Sequence, residues 1–288
     1  MSTMEGAIDA IRAAGGSRIT GPRALTGDPR RALHLTWTLA YLEFRLRFFG
    51  SVLGYLWQLA RPLAMFGVYY VVFVPILHLG GKVPYYGPTL LAGIMLYQFF
   101  AECTGGSVGA VLARENLVRK IHFPRIVIPL SVIVSSALTL MVNTVAVGVF
   151  MAIQRVPIRL NWLAAVPAVA LLFVFVTGLA MLLSSLFVRY RDVQPIWDVV
   201  LQAAFYATPI LYSIEQVPHW AERIIMCNPL SVIVQQIRHS VFDQQAPSAA
   251  DAIGGPLWLL IPVGFTFALF ALGFWVFNRT APAVAEEL

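Results

Sequence analysis

The sequence predicts an all-α polytopic membrane protein, and three observations support that fold class. Of its 288 residues, 59% are hydrophobic and only 12% are charged, whereas soluble domains carry about 25% charged residues. The stretches 126–153 and 160–188 contain no Asp, Glu, Lys or Arg, and each exceeds the roughly 20 residues that cross a bilayer. Basic residues concentrate in a few loops. One compact membrane domain fits this length.

Six apolar blocks predict six transmembrane helices. They lie at about 60–79, 88–109, 126–153, 160–188, 195–213 and 257–278. We assign the membrane domain to residues 33–279, with a mobile cytoplasmic N-terminal segment at 1–32 and a cytoplasmic tail at 280–288. Segment 1–32 lacks the apolar core and cleavage site of a signal peptide, so the first span is expected to target the chain.

The basic residues predict the orientation of these helices. With the N-terminus inside the cell, most of the 20 Lys and Arg residues fall on cytoplasmic segments, where such residues are enriched. We therefore expect a multi-pass protein with both termini cytoplasmic. The net charge of +6 then reflects topology and does not indicate a nucleic-acid partner.

Residues 33–58 predict an amphipathic helix in the headgroup plane, which we call the interface helix. Apolar residues recur at three- and four-residue steps, as in such helices: Leu35, Leu39, Leu42, Leu46 and Phe49. Aromatic and charged side chains accompany them, among them Trp37, Tyr41, Arg45 and Arg47. A membrane anchor is the favoured role over direct substrate contact.

The cytoplasmic segment 113–125 combines a basic cluster with apolar residues. The cluster comprises Arg114, Arg119, Lys120 and Arg125, with Glu115 and Asn116 between them. It could grip anionic lipid headgroups, or the segment could be a short helix that docks on another protein. A second cytoplasmic corner holds Arg189 and Asp192, for which an ion-paired turn is the simplest interpretation.

On the outer side, residues 214–245 are too polar to cross a bilayer and too apolar for a free loop. Short re-entrant or interfacial helices satisfy their backbone groups. These helices could simply pack against the spans, although we favour a gate or exit vestibule.

Two sets of side chains could line a transport path. Mild polar residues form a stripe at four-residue steps: Ser135, Thr139 and Asn143. Such a stripe usually serves helix packing. Aromatic residues are abundant and normally form an interface belt, but an aromatic wall would also let a glycan slide; the candidates are Tyr69, Tyr97, Phe100, Tyr206 and Tyr212.

Catalytic chemistry is absent from the sequence. No GxxxxGK[ST] phosphate loop occurs, so ATP hydrolysis by that route is excluded, and no metal-binding spacing is present. Cys103 and Cys227 are too few for a disulfide framework. Glu102 is isolated within a span; it either faces a pore or is tied to a neighbouring helix, so proton coupling has little support.

Four stretches together resemble one family. They are FFGSVLGYLWQLARPL at 48–63, ENLVRKIHFPRIVIPL at 115–130, RYRDV at 189–193, and YATPILY at 206–212 with NPL at 228–230. They resemble the transmembrane subunit of bacterial ABC-2 exporters of lipid-linked polysaccharide, the group that moves O-antigen, teichoic acid and galactan. The resemblance covers about residues 33–279.

The resemblance implies a six-helix subunit in the bacterial inner membrane that pairs with a second copy of itself and with a separate ATPase. ATP and Mg would bind that ATPase, so this chain binds no cofactor and is not catalytic alone. Residues 115–125 would couple to the ATPase, 33–50 would form the interface helix, and 214–240 would form the outer gate helices. An ABC-2 exporter of a small drug is the alternative. A glycosyltransferase would need clustered acids that the sequence lacks, and a structural anchor would leave the polar stripe without a task.

Overall fold

A computed structural model describes residues 29–48, 54–76, 83–114 and 123–280, and this part of the chain is helical without strands. The α-helices are α1 (Pro29–Phe48), α2 (Gly54–Val71), α3 (Tyr86–Val108), α4 (Ala110–Ala113), α5 (Val127–Ile153), α6 (Ala165–Arg189), α7 (Val193–Ala207), α8 (His219–Met226), α9 (Pro229–Ile237), α10 (Ala249–Ile253) and α11 (Pro256–Thr280). Short π or 3₁₀ turns cover Val72–Ile76, Leu160–Ala164, Ile214–Gln216 and Arg238–Phe242.

Four helical segments of the described chain are long and apolar enough to cross a membrane. They are Trp57–Ile76, Val127–Ile153, Leu160–Arg189 and Pro256–Thr280, which correspond to the first, third, fourth and sixth spans expected from the sequence. Helix α3 is long enough but mixes polar residues and glycines with its apolar ones. Helix α7 has only 15 residues and is about 22 Å long, shorter than the hydrocarbon core.

The end of α7 differs from the expected span 195–213. The helix stops at Ala207, and Thr208 is extended, with φ −95° and ψ 135°. The pyrrolidine ring of Pro209 disfavours helical geometry at the preceding residue. Residues 208–213 therefore turn away from the helix axis instead of continuing it.

Helix α6 is the central helix of the packed core. Its apolar residues Leu172, Val176 and Ala180 are fully buried, and it packs against α3, α9 and α11. It crosses α11 closely because Gly178 and Gly273 face each other there: a Cβ built on Gly178 would lie 2.7 Å from the Cα of Phe270. Glycine removes the side chains that would otherwise separate the two backbones.

Helix α1 covers residues 33–48 of the segment for which the sequence predicts an interface helix, and it lies along α5. Its described part includes residues before position 33, from Pro29 onward. Small residues at four-residue steps, Ala32, Thr36 and Ala40, face the seam, where Ala40 is fully buried.

The expected apolar stripe of α1 divides between two faces of the helix. Leu35 and Leu39 pack inward, whereas Leu42 and Leu46 are exposed beside Trp37 and Tyr41. Phe49, predicted in the same stripe, lies outside the described residues.

Two ion pairs join the C-terminal half of α1 to the end of the α3–α4 unit. Glu43 pairs with Arg114, and Nη1 of Arg47 lies 3.3 Å from Oε2 of Glu102. Glu43 and Arg47 are four residues apart and therefore share one face of α1. Each of the two segments contributes one acidic and one basic residue, so each charge faces an opposite one.

Between α7 and α11 the chain forms the short helices that the sequence predicts after residue 213. Helix α9 is almost entirely buried, and Nε2 of its Gln235 donates to the Pro247 carbonyl at 2.7 Å. Helix α8 is more superficial, and Trp220 is 74% exposed. A reciprocal capping box between Ser248 and Asp251 begins α10.

Substitution of Gly273 tests the α6–α11 crossing. Gly273→Ala should lower the free energy of unfolding by about 1–3 kcal/mol, because its Cβ would meet the carbonyl group of Gly178. Thermal unfolding of the purified protein in detergent measures this change. Gly264→Ala on the same helix is the matched control, since nothing lies within 4 Å of its Cβ. Equal unfolding midpoints for the two variants would contradict this packing.

A charge swap tests the attachment of α1. Arg47→Glu should destabilise the protein by about 1 kcal/mol, because it removes a partly exposed ion pair and sets two carboxylates together. Arg47→Glu combined with Glu102→Arg should recover part of the loss in the thermal unfolding midpoint. Arg45→Glu on the same helix is the control, since the contact recorded for Arg45 is with the Tyr41 ring. No recovery in the double variant would argue against the pairing.

Candidate substrate groove

An open groove of about 790 Å³ runs between α2, α3 and α7. Helix α2 contributes Arg61, Met65 and Tyr69; α3 contributes Ile94, Tyr97, Gln98, Ala101, Glu102, Gly105 and Gly106; α7 contributes Gln194, Asp198, Leu201, Gln202, Phe205 and Tyr206. Two of these walls, α3 and α7, are the helices that fall short of a simple span. Most of the charged and amide-bearing residues of the groove belong to these two helices, and Arg61 belongs to α2.

Helix direction divides the groove into two zones. The residues nearer the α1 end are charged or amide-bearing: Arg61, Glu102, Gln194 and Asp198, whereas the amides of Gln98 and Gln202 lie beside the aromatic residues. Those nearer the opposite end are aromatic: Tyr69, Tyr97, Phe205 and Tyr206. A path along the groove thus leads from polar side chains to aromatic rings.

The aromatic zone is held together by ring contacts centred on Phe205. Its centroid lies 5.6 Å from that of Tyr69 in a stacked pair and 5.0 Å from that of Tyr97 in an edge-to-face pair. Tyr206 adds a further edge contact at 5.4 Å. These separations are those preferred by aromatic pairs. The rings therefore form a preformed wall.

Hydrogen bonds fix α7 against α3 at the floor of the groove. The Tyr97 hydroxyl donates to the Leu201 carbonyl, and Nε1 of Trp197 donates to the Thr104 hydroxyl at 3.1 Å. Both bonds join the two helices far apart in sequence. They hold α7 in place, because this short helix buries little apolar surface of its own.

The acidic residues of the groove have polar partners. The two carboxylate oxygens of Glu102 accept from Arg47 at 3.3 Å and from the Gln98 amide at 3.1 Å. Asp198 accepts from the Gln194 amide at 3.3 Å. Opposite charge and hydrogen bonds compensate carboxylates that leave bulk water, so Glu102 presents a compensated rather than a bare charge.

Of the predicted channel residues, the structure brings Tyr69, Tyr97 and Tyr206 together on the groove wall. Phe100 is buried and stacks on Phe175 at 5.6 Å. The Tyr212 hydroxyl donates to the Tyr206 carbonyl at 3.3 Å, beyond the end of α7.

The predicted polar stripe on α5 does not line the groove. Ser135, Thr139 and Asn143 are buried between helices, and Thr139 donates to the Ser135 carbonyl at 3.3 Å. Their placement matches the packing role that such stripes usually have.

The structure adds residues that the sequence did not single out as lining a path. Phe205 joins the three tyrosines, and the Arg47–Glu102 contact links residues 55 positions apart. Ion pairs between residues so far apart in the chain follow no fixed spacing, so the sequence alone could not predict this contact. Of the two roles considered for Glu102, a tie to a neighbouring helix is present together with exposure to the groove.

The predicted ATPase-coupling residues lie in two places. Glu115, Asn116, Arg119 and Lys120 lie outside the described residues. Arg189 and Asp192 are exposed at the α6–α7 corner, where the Arg189 guanidinium stacks on the Tyr190 ring at 5.7 Å. This corner is open to a partner protein.

Arg125, also predicted to couple, is 3% exposed and lies beside Ser184, Ser185 and Thr280. Burial lowers the pKa of its guanidinium from the ordinary value, as it does for Arg114. Its Nη1 makes no hydrogen bond in the described part of the chain. Arg125 is therefore buried in the described part of the chain, and its role in coupling stays a prediction.

Comparison with known proteins identifies the family. The model of the family described as ABC-2 type transporter matches residues 34–242. The O-antigen export system permease protein RfbA of Klebsiella pneumoniae is 30% identical over 193 residues, covering 67% of this chain and 74% of the relative. RfbA of Myxococcus xanthus is 27% identical, covering 74% and 82%, and the polysialic acid transport protein KpsM of Escherichia coli is 26% identical, covering 69% and 78%. The resemblance seen in the four motifs is confirmed, and the chain belongs to the ABC-2 type transporter family.

Proposed function

We propose that the chain is the membrane subunit of an ATP-driven exporter that moves a lipid-linked polysaccharide out of the cytoplasm for assembly of the cell envelope. The observation that carries this proposal is the groove between α2, α3 and α7, with its aromatic wall and amide-bearing entrance. The relatives named for O-antigen export and polysialic acid transport support the same cargo class.

The chemistry of the groove suits a sliding glycan. Aromatic rings offer large apolar faces with polar tips, on which the C–H faces of sugar rings can stack. The amides of Gln98, Gln194 and Gln202 offer donors and acceptors to sugar hydroxyls. The pairing of Glu102 with Arg47 and Gln98 reduces the repulsion that a bare carboxylate would exert on an anionic glycan.

We propose that α3 and α7 complete a set of six spans, with both termini in the cytoplasm of a bacterium and the protein in its inner membrane. A short helix and irregular backbone are tolerated at membrane depth where protein or a water-filled cavity covers them. Met65 on the groove wall is exposed, and so are Val68 and Val199 on the same two outer helices of the groove, α2 and α7. A second copy of the chain packed there would close the groove into a channel.

The elements at the two membrane surfaces have separate roles in this proposal. Helix α1 is the interface helix, since its exposed face carries Leu33, Trp37 and Tyr41 and such faces enter the headgroup region. Helices α8 and α9 form the outer gate. The Tyr86 hydroxyl, at the outer end of α3, donates to the Leu211 carbonyl at 2.8 Å and so ties the groove wall to the segment that leads to these helices.

The energy for transport comes from a separate ATPase that binds ATP and Mg. Segment 113–125 and the corner at Arg189 and Asp192 receive its movements. Arg114 connects this segment to α1 through Glu43, and Arg47 connects α1 to Glu102 in the groove wall. A partner changes the conformation of the groove only if it binds two states of the chain with different affinity. The two ion pairs are contacts that can differ between those states.

Tyr206 tests the aromatic wall. It is 64% exposed and lines the groove. Tyr206→Ala should reduce glycan export several-fold while leaving expression unchanged, because stacking area is lost without opening a core cavity. Export is measured as polysaccharide at the cell surface per membrane-inserted protein. Phe267→Ala on α11, 54% exposed and away from the groove, is the control; equal export by the two variants would contradict the assignment.

Arg119 and Lys120 test the coupling segment. Replacing both by Glu should lower cargo-stimulated ATP hydrolysis of the assembled transporter at least tenfold, because charge reversal repels an acidic docking surface. The measurement is ATPase activity of the reconstituted complex. Replacing Arg155 and Arg159 by Glu makes the same charge change in the connection between the end of α5 and the start of α6. This connection lies at the other end of these helices from the coupling segment, so the stimulation should stay intact. Loss of stimulation in both pairs of variants would remove the docking role.

Depletion of the protein tests the function directly. Lipid-linked polysaccharide should accumulate on the cytoplasmic face of the membrane and disappear from the outer face. Glycan extracted from inside-out vesicles and from intact cells distinguishes the two sides. Unchanged glycan on both sides would contradict polysaccharide export, and loss of resistance to a small toxic compound without glycan accumulation would favour the drug-export alternative.

A further inference from the structure

The charges of the groove are few and lie toward one end of it. Within the described part of the chain, the charged residues of the lining are Arg61, Glu102 and Asp198, and all of them lie in the zone nearer α1. Glu102 is paired with Arg47, whereas Asp198 accepts a hydrogen bond from the neutral amide of Gln194. This end of the groove therefore carries both signs of charge and offers no cluster of cations to a polyanion.

The remainder of the groove lining carries no formal charge. From Leu201 to Tyr206 on α7, and from Ile94 to Ala101 on α3, the described lining residues are aromatic, aliphatic or amide-bearing. Asp198 and Tyr206 lie eight residues apart on α7, which corresponds to about 12 Å along the helix axis. This distance is longer than one sugar ring, so a polymer in the groove contacts the uncharged zone with more than one of its units.

The aromatic rings of this zone distinguish neutral sugars from anionic ones. The face of an aromatic ring carries partial negative charge, so it attracts cations and repels a carboxylate or a phosphate. Tyr206 is 64% exposed and contacts Phe205, which stacks on Tyr69. The described lining contains no Lys or Arg in this zone, although these are the residues that line the path of anion-selective pores.

We propose that the exported polysaccharide is a neutral glycan, whose repeating units carry neither a carboxylate nor a phosphate. This inference rests on the proposed export function and specifies the cargo within it; it concerns the repeating units and not their linkage to the lipid. The amides of Gln98 and Gln202 offer donors and acceptors to sugar hydroxyls, and the rings offer stacking faces.

A polymer with a negative charge on every unit fits the same groove poorly. Arg61 is the one cation of the described lining, and it cannot neutralise several charges at once. The units beyond it would leave bulk water and lie against aromatic faces, and moving a charge out of water is costly without a counter-charge. A neutral glycan avoids this cost at every unit.

Two opposite charge substitutions at Gln202 test this proposal, because this residue lies on the groove wall beside the aromatic residues. Export is measured as polysaccharide at the cell surface per membrane-inserted protein. Gln202→Lys and Gln202→Glu should lower the export of a neutral glycan to a similar extent, within about twofold of each other, because an uncharged cargo does not respond to the sign of the charge. A polyanion would instead be exported about tenfold or more better by the Lys variant than by the Glu variant.

Gln245 provides the matched control. It is exposed and lies outside the groove lining, so Gln245→Lys and Gln245→Glu should both export as the wild type does.

The charge of the polymer itself gives an independent measurement. Polysaccharide that accumulates in cells depleted of the protein is released from its lipid and passed over an anion-exchange column at neutral pH, where a neutral glycan should not be retained. Retention through carboxylates or phosphates on the repeating units, or a clear difference in export between Gln202→Lys and Gln202→Glu, would overturn the neutral cargo and leave the export function intact. Depletion without accumulation of any polymer would contradict the export function, and this inference with it.

Discussion

The compensation of Glu102 is the constraint on which the account of the transport path rests. A carboxylate in a membrane-spanning bundle is costly unless it is paired or faces water, and Glu102 is held by Arg47 and Gln98 at the groove. Because Arg47 belongs to α1, the carboxylate of Glu102 keeps its charged partner only while α1 is packed in this position. The pair therefore connects α1 with the wall of the groove through which we propose that the cargo passes.

Of the three helices that line the groove, α3 and α7 are the ones least suited to cross a bilayer alone. Helix α7 is short, and its position depends on contacts with α3 through Tyr97 and Trp197. Helix α6, by contrast, packs through the Gly178–Gly273 crossing and forms a rigid frame with α11. Most of the polar groove residues therefore lie on α3 and α7, which hydrogen bonds hold together, whereas the packing of the apolar helices α6 and α11 stabilises the fold.

Hydropathy predicts much of this architecture because bilayer thickness imposes a minimum length on each span. The long helices α5, α6 and α11 agree with the expected blocks within a few residues. Helix α7 ends earlier than expected because Pro209 acts locally on Thr208, an effect that averaged hydropathy does not contain. The groove was only partly predictable: Tyr69, Tyr97 and Tyr206 were recognised as candidates by residue type, but the Arg47–Glu102 contact depends on tertiary packing.

Site-specific photocrosslinking to the exported polymer tests the central claim most directly. A photoreactive residue at position 202, on the groove wall of α7, should crosslink to glycan in cells that are actively exporting, whereas the same residue at position 267, on the exposed face of α11, should not. Crosslinking should stop when ATP is depleted before cargo enters. Glycan captured at position 267 alone, or at neither position during normal export, would contradict transport through this groove.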